Sequence, residues 1–278
     1  MSAVSPRFAC QTYSWQMSLN AYRGRIAHMA DVTAGAGFTG FEPETIMLGD
    51  GWSAGALKTV LSSAGVDLAA LCLVGRWSAS AESPKERAEA DAVIAAVAGT
   101  PGSVVNLVLY PGADRADLRE RQRNALQCMR AIAERAEAAG VQCSFHPNSP
   151  AGSVFRTAPD YAYLLEHLDP RIGFTPDVGH IAKGGMDPVT MIAATLPRVR
   201  HVHIKDIDAD GEWAPTGRGV LDIPQIVDLL TDGGYAGWIA FEDESPLAQR
   251  DPDAAVRAAG SYVQEILVPR YRSMERSR

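Results

Sequence analysis

The stretch VRHVHIKD, residues 199–206, decides how this chain is read. In an extended strand side chains alternate, so Val202 and Ile204 take one face while His201, His203 and Lys205 take the other. The apolar face suits a covering layer of helices, which leaves two imidazoles and an amine pointing the opposite way, into a barrel. The later run GWIAFEDE, 237–244, sorts similarly: Trp238, Ala240, Glu242 and Glu244 share one side, Ile239 and Phe241 the other. Upstream, VQCSFHPN (141–148) sets Cys143 and Phe145 against Ser144 and His146, and IGFTPD (172–177) sets Ile172 and Phe174 against Thr175 and Asp177.

Working outward, strands are expected near 8–15, 39–44, 66–74, 103–110, 141–147, 171–177, 199–206 and 237–243. Between them lie segments of helical period such as DLRERQRNALQCMRAIAERAEAAG (117–140), several ending in a glycine suited to a helix C-terminus, as at Gly37, Gly65 and Gly140. Eight such pairs predict a single (β/α)8 TIM barrel spanning 1–278, a fold that typically needs about 250 residues. A doubly wound sheet fits less well, because no Gly-rich phosphate fingerprint follows the first strand. The longest insertion is the loop 206–223.

A formal charge of −7 argues against nucleic acid as a partner, since phosphate backbones require concentrated Lys and Arg. The expected ligand is a small molecule. Cys10, Cys72, Cys128 and Cys143 have no metal-type spacing and read as buried thiols of a reducing compartment. With no apolar signal core at the N-terminus and no run of the ~18 apolar residues a membrane span requires, the expected location is the cytoplasm, away from any membrane.

In a TIM barrel the C-terminal strand ends carry the chemistry. Alternation delivers His146, Asp177, His203 and Glu242 to that rim from four consecutive strands. Two imidazoles and two carboxylates, with no thiolate, suit one divalent ion: Mn2+, Mg2+, Fe2+, Co2+ or Zn2+. The first strands add Gln11, Tyr13 and Trp15 on one face and Glu42 and Glu44 on one face, groups suited to binding sugar hydroxyls; Asn106 faces inward on the fourth strand. Glu244 sits nearer the mouth than Glu242 and is expected to touch substrate, whereas Asp243 is expected to face solvent or cap the next helix.

The motifs DVGH (177–180), HVHIKD (201–206), PTGRGVLDI (215–223) and GGYAGWIAFEDE (233–244), with GFTGFEPE near the start, resemble the xylose isomerase-like TIM-barrel superfamily of sugar isomerases, epimerases and lyases. The resemblance implies a metal, often Mn2+, held by His146, Asp177, His203 and Glu242. It also implies substrate contacts from His180 and from Arg218. The chain departs from the family's epimerases and hydroxypyruvate isomerases at strand five, where FHPN (145–148) places His146 in the position of a glutamate used as an acid/base group. In this it is most similar to inosose dehydratases and related keto-sugar lyases.

These readings predict a metal-dependent lyase acting on a keto-sugar, inosose or 3-keto-glycoside by α-proton abstraction and β-elimination through a metal-stabilised enediolate. Lys205 or His180 is the expected proton-transfer group, with Glu242 beside it, and a nearby dication should lower the Lys205 pKa. Alternatives are a metal-dependent sugar isomerase or epimerase and a non-catalytic sugar-binding barrel. A DNA-repair endonuclease barrel would need more histidines than the six present, and a basic surface. Apolar surface outside the barrel allows a homo-oligomer, and related barrels work with a second subunit.

Overall fold

The computed structural model describes residues 6–271. Eight parallel strands carry the barrel: β1 (Arg7–Gln11), β2 (Gly40–Glu42), β3 (Ala70–Gly75), β4 (Val104–Leu109), β5 (Gln142–His146), β6 (Ile172–Phe174), β7 (Val202–Ile204) and β8 (Trp238–Phe241). Two hydrogen-bonded ladders make up its halves, one ordered β2–β1–β8–β7 and the other β3–β4–β5–β6. A short strand, Asp67–Leu68, continues the first ladder beyond β2. Isolated bridges join the halves: Glu44 with Cys72 on one side, and Phe174 with Val199 and Asp177 with His203 on the other. Pairing therefore runs round the whole TIM barrel.

The strands are followed in turn by α1 (Ile26–Gly35), α2 (Ala54–Ala64), α3 (Pro84–Val97), α4 (Leu118–Ala138), α5 (Ala158–His167), α6 (Pro188–Thr195), α7 (Ile223–Asp232) and α8 (Pro252–Tyr262). Their ends are chemically marked. Ser83 and Glu86 form a capping box around Pro84 at the start of α3, and Gly65 takes the left-handed conformation, φ 74°, that closes α2. No helix among the described residues is long and apolar enough to cross a membrane.

The alternation at 199–206 and its neighbours is realised as packing. Ile172, Phe174, Val202, Ile204, Ile239 and Phe241 are all buried in the main apolar core shared with the helices, each such side chain contributing about 1.5–3 kcal/mol by leaving water. A second, small cluster of Ala9, Ala69, Trp238 and Ala240 is separate from that core. Trp238 has room there because Gly40 has no side chain: a Cβ at that position would stand 2.6 Å from the indole.

Several strands are shorter than side-chain alternation suggests. β1 stops at Gln11, and Tyr13–Gln16 is a helical turn whose Tyr13 N–H donates to Gln11 Oε1. β6 ends two residues before Pro176, and Asp177 caps the helix Val178–Lys183 instead of continuing a strand. After β7 the chain forms a small antiparallel hairpin, Asp206–Ile207 with Trp213–Ala214, that opens the long loop.

Candidate metal centre

His146 ends β5, Asp177 follows β6, His203 is the middle residue of β7 and Glu242 follows β8. One ligand atom from each lies within 4.8 Å of the others, and all four residues are buried. Each carboxylate splits its work. Asp177 Oδ1 accepts the His180 N–H at 2.7 Å as the helix cap, leaving Oδ2 3.3 Å from His146 Nε2 and 3.9 Å from His203 Nδ1. Glu242 turns Oε1 to Lys205 Nζ at 2.6 Å and Oε2 to His203 Nδ1 at 3.1 Å.

The other nitrogen of His203 is fixed from below. Nε2 lies 2.9 Å from Glu42 Oε2, which also meets His201 Nε2 at 2.6 Å, while Glu42 Oε1 accepts from Asn106 Nδ2 at 2.8 Å and from the Cys72 thiol. Asn106 Oδ1 accepts the Thr175 hydroxyl, which also reaches Ser144. A carboxylate behind the distal ring nitrogen is the usual support of a metal-bound imidazole, directing the free lone pair to the ion. Burial opposes charge on Glu42, but His201 and His203 hold its carboxyl well below the usual range. Burial lowers His146, reinforced by the charge of His203, so it stands neutral as a ligand must. His203 resists burial: Glu42 and Glu242 push it up to about 10 in the absence of an ion. Donor types, spacing and the carboxylate behind His203 fit a hard or borderline divalent cation, while His146 Nδ1 is buried without a hydrogen-bond partner among the described residues.

Lys205 is 2 % exposed, at the centre of a charge cluster. Its Nζ meets Glu242 and Glu244 closely, stands 3.6 Å from Asp177 and donates to His180 Nε2 at 3.0 Å. Burial alone would discharge it, yet these carboxylates hold its pKa well above the ordinary lysine value. A depressed value is therefore not a property of the ion-free site. His180 is driven the other way, first by burial and then by the Lys205 charge, and is neutral. Because the charged Lys205 can only donate, Nε2 is the acceptor facing it, which leaves Nδ1, 2.8 Å from Ser149 Oγ, to carry the ring proton. The rings of Tyr13 and Trp213 stand 5.4 and 5.3 Å from Nζ and wall the amine from bulk water.

A cavity of about 1070 Å³ opens over these groups and is lined by Gln11, Tyr13, Glu44, His146, His180, His203, Lys205, Glu242 and Glu244. Glu44 is buried, with Oε1 accepting from Gln11 and Oε2 without a partner among the described residues. Burial, then the charge of Glu242, pushes its carboxyl up to about 7.

Expectations change for five residues. Glu42 and Asn106 do not line the cavity; they lie under it with their hydrogen bonds committed to His203 and its neighbours. Trp15 is fully buried, its indole N–H donating to Asp253 at 2.7 Å, because the chain leaves β1 at Gln11 and strand alternation no longer applies. Arg218 is exposed on the loop after β7 and is absent from the cavity lining. Asp243 is buried, accepting the Ser245 N–H at 2.7 Å while its backbone pairs with the Ser14 hydroxyl.

Three contributors escaped the sequence reading. His201 was placed on the inward face without a role, and its pairing with Glu42 crosses the barrel interior. Trp213 sits in an aperiodic loop, where only its being aromatic signalled it. Asp206 anchors that loop, Oδ2 accepting from the N–H groups of Gly217 and Gly219 and Oδ1 from that of Leu221.

The sequence pattern of the family described as xylose isomerase-like TIM barrel matches residues 30–265. Among curated proteins, the chain is 30% identical over 142 residues to the rhizopine catabolism protein MocC of Rhizobium meliloti, covering 45% of this chain and 42% of that protein. It is 27% identical over 133 residues to the inosose dehydratase of Clostridium tetani, covering 41% and 45%. The chain thus spans about half the length of the curated relatives it matches. Among solved structures, an L-ribulose 3-epimerase superposes with a TM-score of 0.71 over 98% of both chains at 20% identity, a likeness of fold.

Proposed function

Because the chain belongs to the xylose isomerase-like TIM-barrel family, we propose that it is a divalent-metal-dependent lyase acting on a keto-sugar, inosose or 3-keto-glycoside. The observation that carries this reading is the pairing of Lys205 with neutral His180 beside the His146, Asp177, His203 and Glu242 cluster. The curated inosose dehydratase among its relatives supports the same class of chemistry. An ion held by the four residues, with Mn2+ the first choice and Mg2+, Co2+, Fe2+ or Zn2+ accommodated by the same donors, would supply a Lewis acid for the substrate carbonyl.

Lys205 takes the α-proton. Asp177 and Glu242 are two of the three carboxylates that keep it charged, and an ion held by both would leave it Glu244 alone and favour the amine form. His180 Nε2, at 3.0 Å, can share the proton that Lys205 acquires. Glu44, protonated below about pH 7, gives its proton to the departing oxygen. Gln11 and Glu244 face the same cavity and bind hydroxyls. One proton leaves carbon, one joins oxygen, and a double bond forms as the carbon–oxygen bond breaks.

The test begins with elemental analysis of protein dialysed against Mn2+ or Mg2+, repeated on Asp177→Ala, which should lose an ion that wild type holds at about one per chain. Inososes and 3-keto-glycosides are then assayed. Release of water or alcohol with an unsaturated ketone supports elimination. Epimerised product would overturn it, and no turnover by the loaded protein would leave a sugar-binding barrel.

A further inference from the structure

The cavity is far larger than its chemistry requires. Pockets of roughly 300–1,000 Å³ hold drug-sized ligands, and this one is about 1070 Å³. A single keto-sugar ring over Glu242 and Lys205 would fill its inner end only. We term the remainder the outer lobe; its walls come from β3 and β4, from the segments after β1, β2, β3 and β4, and from α3. Glu44, the residue assigned to the leaving oxygen, opens the β2 loop, and Ile46 and Trp52 follow it in the same wall. Val74, Ala88, Tyr110 and Pro111 are among the other apolar residues of the lining, and Arg23, Asp50, Arg76, Lys85 and Glu89 bring charge to the same cavity.

Within it, Ile46, Trp52, Tyr110 and Pro111 offer a flat apolar group a surface that the inner end, with its imidazoles and carboxylates, does not. Tyr110 is 50 % exposed and Ile46 42 % exposed, and they are two of the four large apolar side chains so exposed among the described residues. The Arg76 guanidinium lies 4.4 Å from the Tyr110 ring centre and steadies it from one face. Trp52, half-buried against the core, is a second aromatic residue of the lining.

We propose that the outer lobe is a subsite for a flat, apolar group carried on the leaving oxygen, so that the preferred substrate is a keto-sugar glycoside with an aryl or arylalkyl aglycone. The inference rests on the lyase reading and specifies its substrate. The α carbon gives its proton to Lys205, the electron pair forms the carbon–carbon double bond, and the bond between the β carbon and the glycosidic oxygen breaks. That oxygen takes the Glu44 proton and departs as the aglycone alcohol; no oxidant or reductant enters.

The experiment compares methyl and benzyl 3-keto-glucosides, whose alkoxide leaving groups are similar enough that a large preference reports the lobe. Wild-type protein loaded with Mn2+ should show a kcat/KM for the benzyl glycoside about tenfold or more above that for the methyl glycoside, as expected for burying one aromatic ring. Trp52→Ala and Tyr110→Ala should each pull this ratio toward unity, while Trp52→Phe retains most of it. Equal kcat/KM values in wild type, or a ratio unmoved by both alanine variants, would overturn the subsite. Turnover of inosose without preference between the glycosides also overturns it and leaves the lyase standing. If no substrate turns over, the lyase reading fails, and calorimetric binding decides the lobe separately. Tighter benzyl than methyl binding, lost in Trp52→Ala, upholds it, and equal binding removes it.

Discussion

Glu44 shows how much one residue's surroundings decide. Its carboxyl is buried with one oxygen unpartnered, and its pKa rises from 4.5 to about 7. A group whose folded value exceeds its unfolded one favours the fold at low pH and loses that contribution as pH rises through the folded value. Ion-free protein should therefore lose stability between about pH 4.5 and 7 through this residue, and Glu44→Gln should flatten that slope in chemical denaturation. Lys205→Met should lower turnover by about 10²–10⁴-fold, the span of general acid–base catalysis, with bound metal near wild type by elemental analysis; retained turnover would remove Lys205 from the mechanism. Alternation in sequence gathered His146, Asp177, His203 and Glu242 because all four sit on or just past strands whose two faces differ sharply in polarity. It failed for Trp15, where a helical turn replaces the strand; Arg218 was implied by the family resemblance alone, and its loop has no periodicity to orient a side chain.

At the scale of elements, the loop after β7 is the decisive piece. Its hairpin lays Trp213 against His180, with ring centres 5.3 Å apart, and against Lys205, while Asp206 holds the returning chain through three backbone N–H groups. Gly219 is required for this approach, since a Cβ there would stand 2.1 Å from Asp206 Oδ1. Asp206→Ala should leave the barrel folded but free the loop: kcat/KM should drop by about tenfold to a hundredfold, as small misplacements of catalytic groups do, and limited proteolysis should newly cut within 208–221. The sequence made this loop conspicuous by its length. Its internal order was illegible because it depends on one carboxylate meeting backbone groups 11 to 15 residues away.

For the whole molecule, eight strand–helix pairs were countable in the sequence, whereas the strand limits were not, because hydrogen bonding and not side-chain pattern ends them. Ion uptake should be strongly pH-dependent. His203, held up to about 10 in the ion-free site, must give up its proton to ligate, so affinity should strengthen as pH rises and calorimetry in buffers of different ionisation enthalpy should detect released protons. The ion should also stabilise the fold by about 2.7 kcal/mol at a hundredfold excess over Kd. The two ladders meet between β6 and β7 through isolated bridges alone, and the candidate ligands divide evenly across that joint: His146 and Asp177 from one half, His203 and Glu242 from the other. In mechanical terms the reaction centre is then a buckle, and chelation should unfasten the barrel along one seam, speeding amide hydrogen exchange in β6 and β7 before the distant ladders loosen.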